Sequence, residues 1–168
     1  MAQALTAPLL AALLLAAACA EKEPLAREDT AQTLEDFSMM QSVSGRKAWA
    51  LSAPKAHLMS AGSALLSKPR IELYRNGKVT STAEGDEAIV REGSQDFMLR
   101  GGVKIFSPSE KATLTTDRLR YVAKTSRFQT DSEVTLVRPG AVLKGKGLDA
   151  DSSLSEIRIR QMETKLSR

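Results

Sequence analysis

Few residues in this chain have the type and spacing for chemistry. His57 is the single histidine among 168 residues and stands beside apolar Leu58 and Met59. A catalytic or zinc-binding role needs partner residues, and the one cysteine, Cys19, lies in a distant apolar run. Gly145-Lys146-Gly147-Leu148-Asp149-Ala150 has the glycine spacing of a dinucleotide-binding turn. Such a turn requires a buried strand before it and a helix after it, within a βαβ unit. Asp151-Ser152-Ser153 follows instead, and no βαβ pattern occurs, so these glycines read as a strand corner. Asp86, Asp117 and Asp131 are candidate acid-base or metal carboxylates, but each occupies the same place in a recurring phrase and reads as a turn residue. No enzyme activity, metal or cofactor is expected from this set.

That recurring phrase organises the chain. It joins an apolar residue to small, polar or turn-prone ones. Its instances are Leu51-Ser52-Ala53-Pro54, Leu66-Ser67-Lys68-Pro69, Ala83-Glu84-Gly85-Asp86, Leu99-Arg100-Gly101-Gly102, Leu114-Thr115-Thr116-Asp117, Phe128-Gln129-Thr130-Asp131 and Leu143-Lys144-Gly145-Lys146. From fourth position to fourth position the intervals are 15, 17, 16, 15, 14 and 15 residues. Each phrase is expected to end a strand and turn a corner, so that one supersecondary unit recurs and buries its apolar face on its neighbours.

Side-chain parity supports the corners. Ala112, Leu114 and Thr116 share one strand face, whereas the apolar residues after Asp117 are Leu119 and Tyr121. A bend or bulge at Thr116-Asp117 returns them to the inside. Period-two alternation assigns Trp49, Leu51, Ile71, Leu73, Phe97, Leu99, Val103, Ile105, Leu114, Leu119, Tyr121, Phe128, Val134, Leu136 and Leu143 to an inner face. Asn76-Gly77 and Arg138-Pro139-Gly140 are turns, and Ile157 and Ile159 alternate with Arg158 and Arg160 in a last strand. No segment after residue 40 has a helical period. The fold class is therefore all-β, with many short antiparallel strands. Residues 21–38 read as a charged tether, with a helical turn around Thr33 to Asp36, and the β domain spans 39–168.

Charged residues make up 26% and hydrophobic ones 42%, which fits one ordinary folded domain rather than a disordered chain. The formal charge of +4 favours an anionic partner. Its basic residues are dispersed and lack the interleaved aromatics of a single-strand nucleic-acid binder, so no nucleic acid is expected. The apolar run Leu9–Ala20 is shorter than the roughly 20 residues that a spanning helix needs. With Ala16, Ala17 and Ala18 before Cys19 it reads as an export segment over residues 1–20. It resembles a lipoprotein signal whose cysteine is acylated, although Leu15 stands four rather than three residues before Cys19 and no basic residue precedes Lys22. A short uncleaved anchor and a simple cleaved signal are the other readings. All three export the domain.

Gly102-Val103-Lys104-Ile105-Phe106-Ser107, Ala112-Thr113-Leu114-Thr115-Thr116-Asp117-Arg118-Leu119-Arg120-Tyr121 and Phe128-Gln129-Thr130-Asp131-Ser132-Glu133-Val134 together resemble the repeat of lipopolysaccharide-transport proteins. Gly45-Arg46-Lys47-Ala48-Trp49-Ala50-Leu51-Ser52-Ala53 opens the domain and Ala141-Val142-Leu143-Lys144-Gly145-Lys146-Gly147-Leu148 stands near its end. With the N-terminal segment before them, their order is similar to that of the LptC family. The family's usual uncleaved helix differs from the Cys19 segment, which bears on the anchor and not on the domain.

The resemblance implies a twisted, open β-jellyroll. It also implies a periplasmic protein, anchored to the inner membrane, that relays lipopolysaccharide from an inner-membrane ABC transporter to an LptA-like bridge protein. The inner-face residues above are then candidates to contact acyl chains. The last strand, with Ile157 and Ile159 inward, is the expected edge for the bridge. The alternative is a periplasmic scaffold lipoprotein whose inner face is simply a packed core.

The anchor reading has a direct test. The mature protein should begin at Cys19 and carry acyl chains by intact-mass measurement. An unmodified chain of full length in membranes would favour a retained hydrophobic anchor.

Overall fold

The alternating segments form eleven antiparallel strands in this computed structural model, which describes residues 32–59, 62–91, 93 and 95–163. They are β1 (Gln32–Val43), β2 (Arg46–Met59), β3 (Ser63–Ser67), β4 (Arg70–Arg75), β5 (Lys78–Glu84), β6 (Glu87–Arg91), β7 (Phe97–Ser107), β8 (Ala112–Val122), β9 (Arg127–Arg138), β10 (Ala141–Asp151) and β11 (Ile157–Glu163). The hydrogen-bonded order is β11-β10-β9-β8-β7-β5-β4-β2-β3-β6, with β6 returning to β7 and β1 lying on the other edge of β2. The Cys19 segment falls outside the described residues.

β2 and β7 explain the shape. One edge of β2 pairs with β4 through Trp49–Ser52 and with β3 through Lys55–Met59. One edge of β7 pairs with β6 through Phe97–Arg100 and with β5 through Lys104–Phe106. Each long strand therefore crosses from one layer to the other. The first layer holds β4, β5 and the adjoining halves of β2 and β7. The second holds β3, β6 and the remaining halves. The path β2-β4-β5-β7-β6-β3 closes on itself. Beyond it, β8, β9, β10 and β11 continue from β7 as a ribbon of bent strands. The result is an antiparallel β-jellyroll with open edges at β1 and β11.

The corners lie along one spine. Only the phrases at Leu66–Pro69 and Ala83–Asp86 end strands. In the other five the strand runs through the corner. A break would leave backbone donors and acceptors without partners, whereas a bulge interrupts the ladder by a single residue. Residues 101 and 102 of β7 face 117 alone in β8, and residues 131 and 132 of β9 face 147 alone in β10. The extra residues sit in β7 and β9. Parity consequently changes at the corner in β8, as the sequence indicates, and also in β2 and β10, but not in β7 or β9.

The spine is stitched by backbone hydrogen bonds. The Asp86 amide donates to the carbonyls of Arg100 (3.1 Å) and Gly101 (2.9 Å), and the Lys68 amide donates to the Asp86 carbonyl (2.7 Å). Gly101 has φ +71°, and a Cβ there would run into the Asp86 side chain. The Asn76-Gly77 hairpin has φ values of +52° and +75°, as its turn type demands.

The N-terminal boundary differs from the sequence reading. Residues 32–38, read as the end of a tether with a helical turn, belong to β1. The edge of β2 offers a template along its whole length, and Phe37 and Met39 lie opposite Ala53 and Leu51. An isolated helical turn has neither ladder nor apolar support. Asp36, with φ +50°, passes Pro54, which has no N–H to give.

Gly101→Val should lower unfolding free energy by about 1–3 kcal/mol or more, because backbone strain and the Asp86 clash combine. Gly140→Ala, at φ +73° in open space, should cost only about 1–2 kcal/mol. Urea unfolding of both variants checks the difference.

Candidate functional site

The space between the layers is the candidate site, and register defines its walls. In the first layer Leu51, Ile71, Ala83, Ile105, Leu114, Leu136 and Leu143 lie opposite one another in an unbroken row from β2 to β10. Trp49 and Leu73 begin a parallel row nearer the open side, and Val103, Thr116 and Val134 another nearer the spine. In the second layer Leu66, Ala88, Leu99 and Leu119 form one row, and Val90, Phe97, Tyr121, Phe128 and Ala150 the next. Fourteen of the fifteen inner-face residues assigned from the sequence are at most 5% exposed. Leu143 is half-buried against the core.

The sequence reading omits part of these walls. Ala53, Ala56, Ala83, Ala88 and Ala150 are buried, as are Leu66, Val90, Leu148 and Leu154. Alanine gives little periodic signal because it is tolerated on either face. Leu66 and Val90 lie on the five-residue strands β3 and β6, too short to show a period.

Away from the spine the layers meet at a mouth lined by aromatic rings. Phe97 stacks on Tyr121 at 4.9 Å, Tyr121 meets Phe128 at 5.5 Å, and Trp49 from the first layer meets the Phe97 edge at 6.2 Å. The Trp49 indole N–H donates to the Gln95 carbonyl across the gap (3.2 Å). Burial pushes the Tyr121 phenol up, which keeps it neutral at physiological pH. Ser81, buried in the Leu73 row, has a hydroxyl with no hydrogen-bond partner among the described residues.

The β10–β11 loop crosses the mouth. Its frame is Asp151, whose carboxylate accepts from the Ser155 and Glu156 amides (2.8 Å each), the Ser153 amide (3.2 Å) and the Ser155 hydroxyl (3.1 Å), and also from the Ser153 hydroxyl. Burial alone would raise this carboxyl. The bonds from Ser153, Ser155 and Glu156 more than offset it and hold Asp151 below the ordinary carboxylate range. Asp151-Ser-Ser-Leu-Ser is the sequence signal that could have revealed the loop, since aspartate followed by serines favours bonds to its own backbone.

The outer faces are different in character. The +4 charge looked dispersed along the sequence, but register sets Arg100 directly opposite Arg118 on the second layer's outer face. Like charges so placed are destabilising unless solvent or an anion separates them. Arg118, Arg120, Arg158 and Arg160 line a cleft of about 720 Å³ there. Arg120 pairs with Asp96 (3.1 Å), and Arg160 pairs with Asp131 and the Thr130 carbonyl (2.9 Å). Arg160 is thus committed within the chain. Arg158 is exposed, and Ile157 and Ile159 pack inward.

The sites of conventional chemistry resolve as structure. Gly147 sits at the β10 corner with φ +76°. His57 Nδ1 lies 3.0 Å from the Thr33 hydroxyl, opposite it in β1. Asp86 is at the spine, Asp117 opposite the β7 bulge and Asp131 in its ion pair.

A family model described as lipopolysaccharide-assembly, LptC-related, matches residues 3–162. Among solved structures the chain is similar to LptH from Pseudomonas aeruginosa, described as the LptA-homologous periplasmic component of the conserved lipopolysaccharide transport device. The TM-score is 0.49 at 9% identity, over 80% of this chain and 85% of that one. No curated protein matches.

The depressed Asp151 and Asp149 carboxyls both favour the folded state when ionised. Their stabilisation is present above the unfolded value of about 3.9 and is lost as pH falls through their folded values. The thermal midpoint should drop as buffer is taken from pH 5 towards pH 3. Asp151→Asn should be less stable at pH 7 and show a shallower acid slope.

Proposed function

The chain belongs to the LptC-related family of lipopolysaccharide-assembly proteins, and from that membership in lipopolysaccharide transport we propose that it relays lipopolysaccharide from an inner-membrane ABC transporter to an LptA-like bridge in the periplasm. The acyl chains lie between the two layers and the charged headgroup stays outside. The observation that carries this reading is the continuity of the apolar rows. From β2 to β10 no charged side chain interrupts the Leu51–Leu143 row, so a long hydrocarbon meets a uniform wall along the molecule. The headgroup's phosphates suit the arginines on the outer face.

The two sheet edges suit the two handovers. The outer edge of β1 serves the transporter's periplasmic β-domain, and the outer edge of β11, with Ile157 and Ile159 turned inward, serves the bridge by adding a strand. The segment ending at Cys19 holds the domain at the inner membrane. One observation favours the scaffold reading: the inner face is filled by its own side chains, with Ile71, Leu99, Ile105, Leu114, Leu119 and Leu136 fully buried. On the relay reading the layers part to admit the ligand.

A photo-crosslinking residue at Val103 or Leu119, both buried, should capture lipopolysaccharide in cells. The same residue at Lys104 or Arg118, on the opposite face, should not. Equal labelling of the two sets would overturn the relay and leave the scaffold.

A further inference from the structure

We propose that the β10–β11 loop, Ser152–Glu156, is a clasp over a lateral portal, and that an acyl chain passes between the layers where this loop lifts. The inference rests on the relay reading for its ligand, but the clasp itself rests on contacts. This loop joins three turns that are distant in sequence. The Ser107 hydroxyl, at the end of β7 in the first layer, donates to the Ser153 carbonyl (2.6 Å). The Ser152 amide donates to the Ser126 carbonyl, in the β8–β9 turn of the second layer (3.0 Å). Arg75, at the β4–β5 turn of the first layer, donates to the Ser152 hydroxyl (3.1 Å) and lies 3.8 Å from Asp151.

The loop therefore holds both lips of the mouth, and Leu154 fills the space between them. Leu154 is 1% exposed and has φ +57°, a conformation that leucine adopts only under constraint. The Asp151 cage imposes that constraint, since all five of its bonds close within the loop. The clasp can thus move as a unit, breaking these contacts to the lips and the 3.8 Å pairing of Glu156 with Arg127 while its inner frame persists.

Two features mark the mouth as the side that opens. The spine is a row of backbone ladder bonds, whereas the lips are tied mainly by side chains and one loop. Ser81 is buried in the row next to the mouth with a hydroxyl unsatisfied among the described residues, a cost in the closed state that opening relieves. The portal's lining is aromatic, with Tyr121 and Phe128 beneath the loop, and suits a hydrocarbon chain rather than a sugar or a phosphate.

The test uses the full chain and two independent readouts. The first is amide hydrogen exchange without ligand. Leu154→Ser and Asp151→Asn should each raise exchange at Leu73, Phe97 and Tyr121 about tenfold or more, with Val103 and Thr116 near the spine changed far less. A uniform rise, or none, overturns the clasp. The second is capture of lipopolysaccharide by a crosslinker at Leu119. The paired substitutions Ser107→Cys and Ser153→Cys, oxidised and verified by mass, should abolish capture, and reductant should restore it. Capture by wild type and oxidised variant alike overturns the clasp while the relay stands. No capture by wild type overturns the relay, and the exchange measurement then decides the clasp alone.

Discussion

Everything in this protein depends on strands that bend without losing their ladder. A strand has period two, so an apolar set stays inside only while the chain keeps its twist and register. Folding the sheet back on itself threatens both. The chain meets the constraint by adding one residue to alternate strands at the corner, in β7 and again in β9. The neighbours then cross the bend with a parity change, and both halves of every strand present their apolar residues to the same interior. Asp86 makes the arrangement specific, because its amide reaches two carbonyls of β7 while its side chain occupies the space beside Gly101.

Much of this is legible in the sequence because the physical signals are local. Alternation in Val103–Ile105 and Leu119–Tyr121 reports the inner face, and Asn76-Gly77 reports a hairpin. The parity shift at Thr116-Asp117 reports the bend itself. What was not legible depends on pairing. Whether a corner ends a strand or runs through it is decided by the neighbour that completes the ladder, and the phrase at Leu66–Pro69 looks like the one at Leu51–Pro54. β1 shows the same dependence. Its residues carry mixed local signals and become a strand because β2 has an edge to fill.

The candidate site divides along the same line. The apolar walls were visible because periodicity encodes them. The Asp151 loop was not, since its contacts with Ser107, Ser126 and Arg75 span up to 77 residues of sequence. The opposed pair Arg100 and Arg118 escaped for the same reason: the arginines are far apart in sequence and adjacent only by register. Composition reported an excess of positive charge but not that register sets two of the arginines face to face.

The closed path β2-β4-β5-β7-β6-β3 gives the spine unequal construction along its length. β2 and β7 cross it unbroken, but between them β3 gives way to β4, and β5 to β6, through short links. The layers there are joined only along the spine and can part at the mouth without breaking a ladder. From β7 to β11 every strand crosses the corner unbroken, and the bend is carried by a continuous ladder with its extra residues in β7 and β9. The spine is thus a jointed hinge at one end and a leaf spring at the other, a gradient in stiffness set by strand topology alone.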